Sequence, residues 1–183
     1  VINNLEYDHA DIFENFGDIM KQFHYLLRTM SNKTTIIMPD RTKSLSDLVD
    51  QGCWSKIKRF GESNESENQF EYDSNQSSLK IKSNSEEICV VDSPLIGKHN
   101  AANTMAAMLA CQTVGLSFEQ CARSLKTFKN VSRRLELVET ISDIKIYSDF
   151  AHHPTAIAET IKAISDKILK NGNLFVIVEP RSN

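Results

Sequence analysis

The chain has 183 residues of which 40% are hydrophobic, enough for one ordinary core or two partial ones, so it is neither a peptide nor a disordered tail. A formal charge of −3 at pH 7, with no long Lys/Arg run, argues against electrostatic capture of nucleic acid or an anionic membrane. With no apolar run near the roughly 18 residues of a membrane span and no signal-peptide pattern, small molecules are the expected partners.

The opening "VINNLEYDHADIF" starts on two β-branched residues without an initiator Met, the look of a chain entered partway. From Asp11 to Met30, Ile12, Phe16, Ile19, Phe23, Leu26 and Met30 recur at three- and four-residue intervals, which predicts an amphipathic helix. "TTIIMP" (34–39) reads as a buried strand, "SLSDLV" (44–49) as a brief helix and "WSKIKRFG" (54–61) as a strand stopped by Gly61. Residues 62–78 are polar and read as a solvated loop with room for a short strand around Phe70 and Tyr72. "SLKIKS" and "EICVVD" return to strand patterns.

Residues 97–115, "GKHNAANTMAAMLACQTVG", form the most helical stretch, with Gly115 placed to end it. Ser117 and Gln120 make an S-x-x-Q capping box that starts a second helix reaching about Phe128. "IKIYS" (144–148), a His-His loop, a helix from Pro154 to about Leu169 and the apolar "NLFVIV" (173–178) complete a strand-loop-helix-strand unit. Parallel strands with a functional edge at their carboxyl ends are expected there. The chain stops just past that apolar run, so both ends look cut. Cys53, Cys89, Cys111 and Cys121 form no C-x-x-C pair, which suggests neither a zinc site nor a disulfide framework and fits reduced thiols in a cytoplasm.

Three clusters carry chemistry. In "SDFAHHPTA" (148–156), His152 and His153 follow a strand end and open a helix, where backbone N–H groups and the helix dipole attract anions. An Asp there can accept sugar hydroxyls, which favours nucleotide or phosphate recognition over one His capping the helix and one being solvated. In "GKHNAAN", Asn100 and Asn103 are poor interior helix residues, so they point to capping or ligand contact. A carboxamide suits the N6/N7 edge of adenine, while Asn100 as a plain N-cap stays open. In "LEYDHADIF", His9 among Glu6, Asp8 and Asp11 resembles a magnesium or manganese site more than a zinc site. A solvated helix start explains it equally well.

The pieces "NLEYDHADIF" (5–13, read from Leu5 with Asn4 before it), "GKHNAANTMAA" (97–107), "SRRLE" (132–136) and "SDFAHHPTA", in this order, resemble the muramyl ligase family of peptidoglycan synthesis over essentially the whole chain. The resemblance implies an α/β fold. Residues 1–131 would be the later part of a central P-loop-type ATPase domain, and 132–183 the start of a Rossmann-like C-terminal domain. It also implies an ATP-dependent amide-bond ligase using Mg2+, with UDP-N-acetylmuramate and a murein tripeptide as substrates. In that reading His9 helps hold magnesium, and His99, Asn100 and Asn103 form the adenine-recognition segment. Arg134 reaches the nucleotide phosphates and Asp149 the ribose. His152, His153 and Arg181 face the reacting groups and the incoming amine.

Departures from the family pattern are visible too. No G-x-x-x-x-G-K-[ST] loop occurs, and the acid expected to share the metal with His9 would lie upstream of Val1. Position 148 is Ser where relatives often carry an acid, and His24 stands where some members carry a carbamylated lysine. Three other functions therefore stay open: an L-alanine-adding ligase, a non-catalytic nucleotide-binding remnant, and a metal-dependent hydrolase built on His9, His152 and His153.

Overall fold

The computed structural model describes residues 1–168 and 172–179. The first half runs α1 (Phe16–Arg28), β1 (Thr35–Pro39), α2 (Lys43–Asp50), β2 (Lys56–Gly61), β3 (Asn68–Asp73), β4 (Ser78–Ser83) and β5 (Glu86–Asp92). The second runs α3 (Lys98–Gln112), α4 (Phe118–Leu125), β6 (Glu136–Ile141), β7 (Ile144–Ser148) and α5 (Pro154–Ile168). The fold is α/β, as expected.

Strands β1 to β5 form one sheet in chain order. The pairs β1/β2 and β2/β3 are parallel, and β3/β4 and β4/β5 antiparallel. Three consecutive residues of β1, Ile36, Ile37 and Met38, are all buried, the pattern of a strand covered on both faces. Ile37 turns toward one core with Phe60, Phe70, Leu79 and Ile81, closed by Met105 and Leu109 of α3 and Phe118 of α4. Ile36 and Met38 turn the other way, onto Ile19 and Leu27 of α1 and Leu45 and Leu48 of α2. Each fully buried Leu, Ile or Met contributes about 1.5–3 kcal/mol of gross transfer free energy.

The first residues are tied to this sheet. Ile2 N–H donates to the Ile37 carbonyl at 2.9 Å, and Ile2 and Leu5 enter the second core. Asn3 and Glu6 are thereby held at fixed places beside the edge of β1.

Local chemistry moves several boundaries. The first helix starts at Phe16 rather than Asp11, because the Asn15 side chain accepts from Asp18 N–H and caps it there. In the polar run 62–78, a full strand forms at β3, with Asn68, Gln69 and Phe70 buried. Asn68 spends its amide on the Arg59 carbonyl and Gln69 on the Ser66 carbonyl, so two polar side chains are satisfied inside. Gly97, with φ +96°, precedes α3 in the N-cap position, so Asn100 is not the N-cap. The capping box at Ser117 and Gln120 is present with both of its hydrogen bonds, and α4 ends at Leu125.

The last unit differs most from expectation. β7 pairs antiparallel with β6, a strand the sequence pattern left unmarked, through a turn with positive φ at Ser142 and Asp143. Residues 173–178 form no strand, and Phe175 is 89% and Ile177 99% exposed. The expected parallel pairing of these strands is therefore not seen. α5 still follows β7 across the His-His loop and packs through Ala163 and Ile164 on Leu135, Ile96 and Tyr147.

Candidate functional site

The carboxyl end of β7, the first turns of α3 and α5, and the N-terminal stretch enclose one cavity of about 960 Å³. Its polar wall includes His9, Asn103, Arg134, Asp149, His153 and Glu159. Pro39 and Phe60 contribute from the ends of β1 and β2.

Two rigid devices hold this wall. Asp149 accepts from Leu135 N–H with one carboxylate oxygen and from Ala151 N–H with the other, both at 2.7 Å. It thus fastens the segment after Arg134 to the His-His loop; the oxygen on Ala151 also accepts from Thr160 Oγ1 at 3.4 Å, while the one on Leu135 keeps capacity for a further donor. Gly97 lets α3 approach α5: a Cβ there would lie 2.6 Å from the Ala163 Cβ.

The histidines take distinct settings. His153 Nε2 is 3.1 Å from the Tyr7 carbonyl, which can only accept, so Nε2 carries the proton. Its Nδ1 faces the Glu6 carboxylate at 3.6 Å, and Glu6 also accepts from Thr155 Oγ1 at 2.7 Å. His152 instead donates from Nδ1 to its own loop, at the Phe150 carbonyl 3.0 Å away, and does not line the cavity. His99 is pushed toward its neutral form chiefly by burial, with Glu159 and Asp149 opposing the shift and Arg134 adding to it. Its Nδ1 is buried without a hydrogen-bond partner, Glu159 being 3.8 Å away.

Asn100 sends its amide back to the Ile96 carbonyl at 2.8 Å, and Asn103 accepts from Asn3 at 2.7 Å. At the far rim Asp8 accepts from His9 N–H, which, with smaller contributions from the charges of nearby histidines, holds its carboxyl below the usual range. His9 has φ +56° and lies 4.0 Å from Asp11. Among the described residues no group of three His, Cys, Asp or Glu side chains could hold a metal ion. His9 and its acids thus make an incomplete donor set, and a magnesium ion there would need further ligands such as phosphate oxygens.

Residues 1–111 match the family model described as Mur ligase middle domain. The chain belongs to the Mur ligase family. It is 36% identical over all 183 residues to the Escherichia coli (strain K12) UDP-N-acetylmuramate--L-alanyl-gamma-D-glutamyl-meso-2,6-diaminoheptandioate ligase, covering 40% of that protein. The UDP-N-acetylmuramate--L-alanine ligase of Acetivibrio thermocellus is 29% identical over 175 residues, 89% of this chain and 36% of that one. Among solved structures, the murein peptide ligase of Psychrobacter arcticus 273-4 is 34% identical with a TM-score of 0.67, over 98% of this chain and 37% of that one. MurF from Acinetobacter baumannii, at 16% identity, has a TM-score of 0.75 over 90% of this chain and 36% of its own, a likeness of fold. The chain spans about two fifths of the curated Mur ligases it matches.

Of the residues singled out in this Mur ligase sequence, His9, His99, Asn100, Asn103, Arg134, Asp149 and His153 line one cavity, although they lie up to about 140 positions apart. His152 stands outside that wall, and Arg181 lies outside the described residues. His24 is not on the cavity wall either; its Nε2 would sit 3.9 Å from a Cβ at Gly52. The sequence reading gave no role to Asn3, Thr155 or Glu159. Thr155 and Glu159 are one turn apart on α5, an ordinary polar helix face that carries no signal by itself.

Proposed function

We propose that the full-length protein is an ATP-dependent amide-bond ligase joining the tripeptide L-alanyl-γ-D-glutamyl-meso-diaminopimelate to UDP-N-acetylmuramate, in the cytoplasmic recycling of peptidoglycan. The convergence of seven separately encoded polar residues on one cavity carries this reading. Identity of 36% with the Escherichia coli tripeptide ligase, against 29% with an L-alanine ligase, favours the tripeptide as acceptor.

In this proposal residues 1–131 belong to the central ATP-binding domain and 132–183 to the C-terminal domain, so the chemistry lies where the two meet. A carboxylate is a poor electrophile at neutral pH. One oxygen of the lactyl carboxylate therefore attacks the γ-phosphorus of ATP, ADP leaves, and an acyl phosphate forms. The L-alanyl amine then attacks the acyl carbon, inorganic phosphate departs, and the amine proton is lost to a base.

The work of this chain is positioning and electrostatics. Asn100, Asn103 and His99 hold adenine, Asp149 the ribose, and Arg134 the nucleotide phosphates. His153, in the loop before α5, faces the reacting groups, His152 holds that loop through the Phe150 carbonyl, and Arg181 takes the incoming peptide. Magnesium, when bound, offsets charge on the phosphates, and His9 is the residue here that would hold it. Closing the cavity keeps water from the acyl phosphate.

The test is phosphate release by the longest reading frame containing this chain, with ATP, UDP-N-acetylmuramate and either tripeptide or L-alanine. Release with the tripeptide alone is expected. Preference for L-alanine would make it the alanine-adding ligase, and no release with either acceptor would leave a non-catalytic nucleotide binder.

A further inference from the structure

The Glu6 carboxylate reaches the start of α5, 149 positions along the chain: its Oε2 accepts from Thr155 Oγ1 at 2.7 Å and lies 3.6 Å from His153 Nδ1. The opposite nitrogen of that ring, Nε2, bonds the carbonyl of Tyr7, the next residue in the chain, at 3.1 Å. Both ring nitrogens thus face oxygens of two consecutive residues. Those residues are anchored in turn, because Ile2 N–H donates to the Ile37 carbonyl and both Ile2 and Leu5 are buried. A side chain whose orientation is set by supporting contacts of this kind keeps its geometry when a ligand arrives. Thr155 stands in the first turn of α5, where the free N–H groups and the helix dipole also favour a negative charge.

Glu6, His153 and Thr155 all line the cavity. In the sequence Glu6 belongs with the acids around His9, yet in the fold its carboxylate is engaged by α5. We infer that Glu6 is a positioning residue of the ligation site: it seats His153 and the start of α5 against the N-terminal stretch. This rests on the reading of the cavity as a ligase site and gives Glu6 a role apart from the metal. Because it acts through His153 rather than on the nucleotide, its loss lowers kcat and spares the affinity for ATP.

The experiment measures phosphate release by the full-length protein with the tripeptide, at varied ATP and magnesium. Glu6→Ala is expected to lower kcat by about tenfold, the worth of one hydrogen bond, with the KM for ATP changed by no more than roughly twofold. Thr155→Val should lower kcat too, and Thr155→Ser, which keeps the hydroxyl, should restore it. Removing both partners should be no worse than removing Glu6 alone, because the hydroxyl acts through that carboxylate. An unchanged kcat in Glu6→Ala, a loss confined to the KM for ATP, a raised magnesium requirement or additive losses in the double variant would overturn the assignment. The amide of Ile157, bonded to the His153 carbonyl at 3.0 Å, reports the seating without any turnover. Its hydrogen exchange should quicken in Glu6→Ala and, if that variant is too unstable, in Thr155→Val; unchanged exchange would overturn the seating. A wild type that releases no phosphate with either acceptor, while its variants show the quickened exchange, would sink the ligase reading and sustain the seating of the loop.

Discussion

His99 sits where burial works against its charge, and this gives a pH dependence with a definite sign. Its folded-state pKa lies below the ordinary 6.5, so the unfolded chain takes up a proton that the folded one resists. The stability it contributes is complete above that ordinary value and is lost as pH falls through the lowered one. NMR titration should give a His99 midpoint below 6.5, moving further down in Glu159→Gln because that carboxylate opposes the shift. Asn100→Ala in the full-length enzyme should raise the KM for ATP with little change in kcat, about tenfold if one hydrogen bond is lost; unchanged ATP dependence would remove the adenine role. At this scale, residues of unusual type in an unusual place were legible: Asn in a first helical turn, an Asp before two histidines. Asn3, Thr155 and Glu159 were not, because each is ordinary in its own segment and gains meaning only from a partner more than 50 positions away.

Among the elements, the junction of α3 and α5 is the most sensitive. Gly97→Ala would place a Cβ 2.6 Å from that of Ala163 at φ +96°, so it should cost at least about 1–3 kcal/mol in denaturant unfolding. Adding Ala163→Gly should return the part due to that collision and leave the backbone strain and the crowding of the His99 ring, whose Cε1 would lie 2.9 Å from the same Cβ. Ser117→Ala removes one arm of the capping box of α4 and should cost about 1 kcal/mol. Helices and strands with a clear period were readable because burial on one face writes that period into the sequence. β3 was obscured by Asn68 and Gln69, polar residues buried by virtue of hydrogen bonds to backbone that no periodicity reveals. The pairing of β6 with β7 turns on positive φ at Ser142 and Asp143, neither a glycine, so the usual turn signal was missing.

For the molecule as a whole, Phe175 and Ile177 and, separately, Val138 of β6 and Ile144 of β7 are large apolar side chains left exposed. The 183-residue chain in isolation is expected to self-associate, and Ile177→Ser with Phe175→Ser should lower its apparent mass in light scattering. α/β layering was legible from the alternation of helical and strand patterns, whereas the enclosure of one cavity by distant segments required the fold itself. The stretch from Ile2 to His9 bonds to β1, reaches Asn103 on α3 and meets His153 and Thr155 at the start of α5. Eight residues therefore answer to three bodies at once, and a change suiting one of them disturbs the other two. In a saturation mutagenesis survey of the full-length gene, this short run should tolerate fewer replacements than its solvent exposure would suggest, its tolerance profile following shared obligations instead of depth.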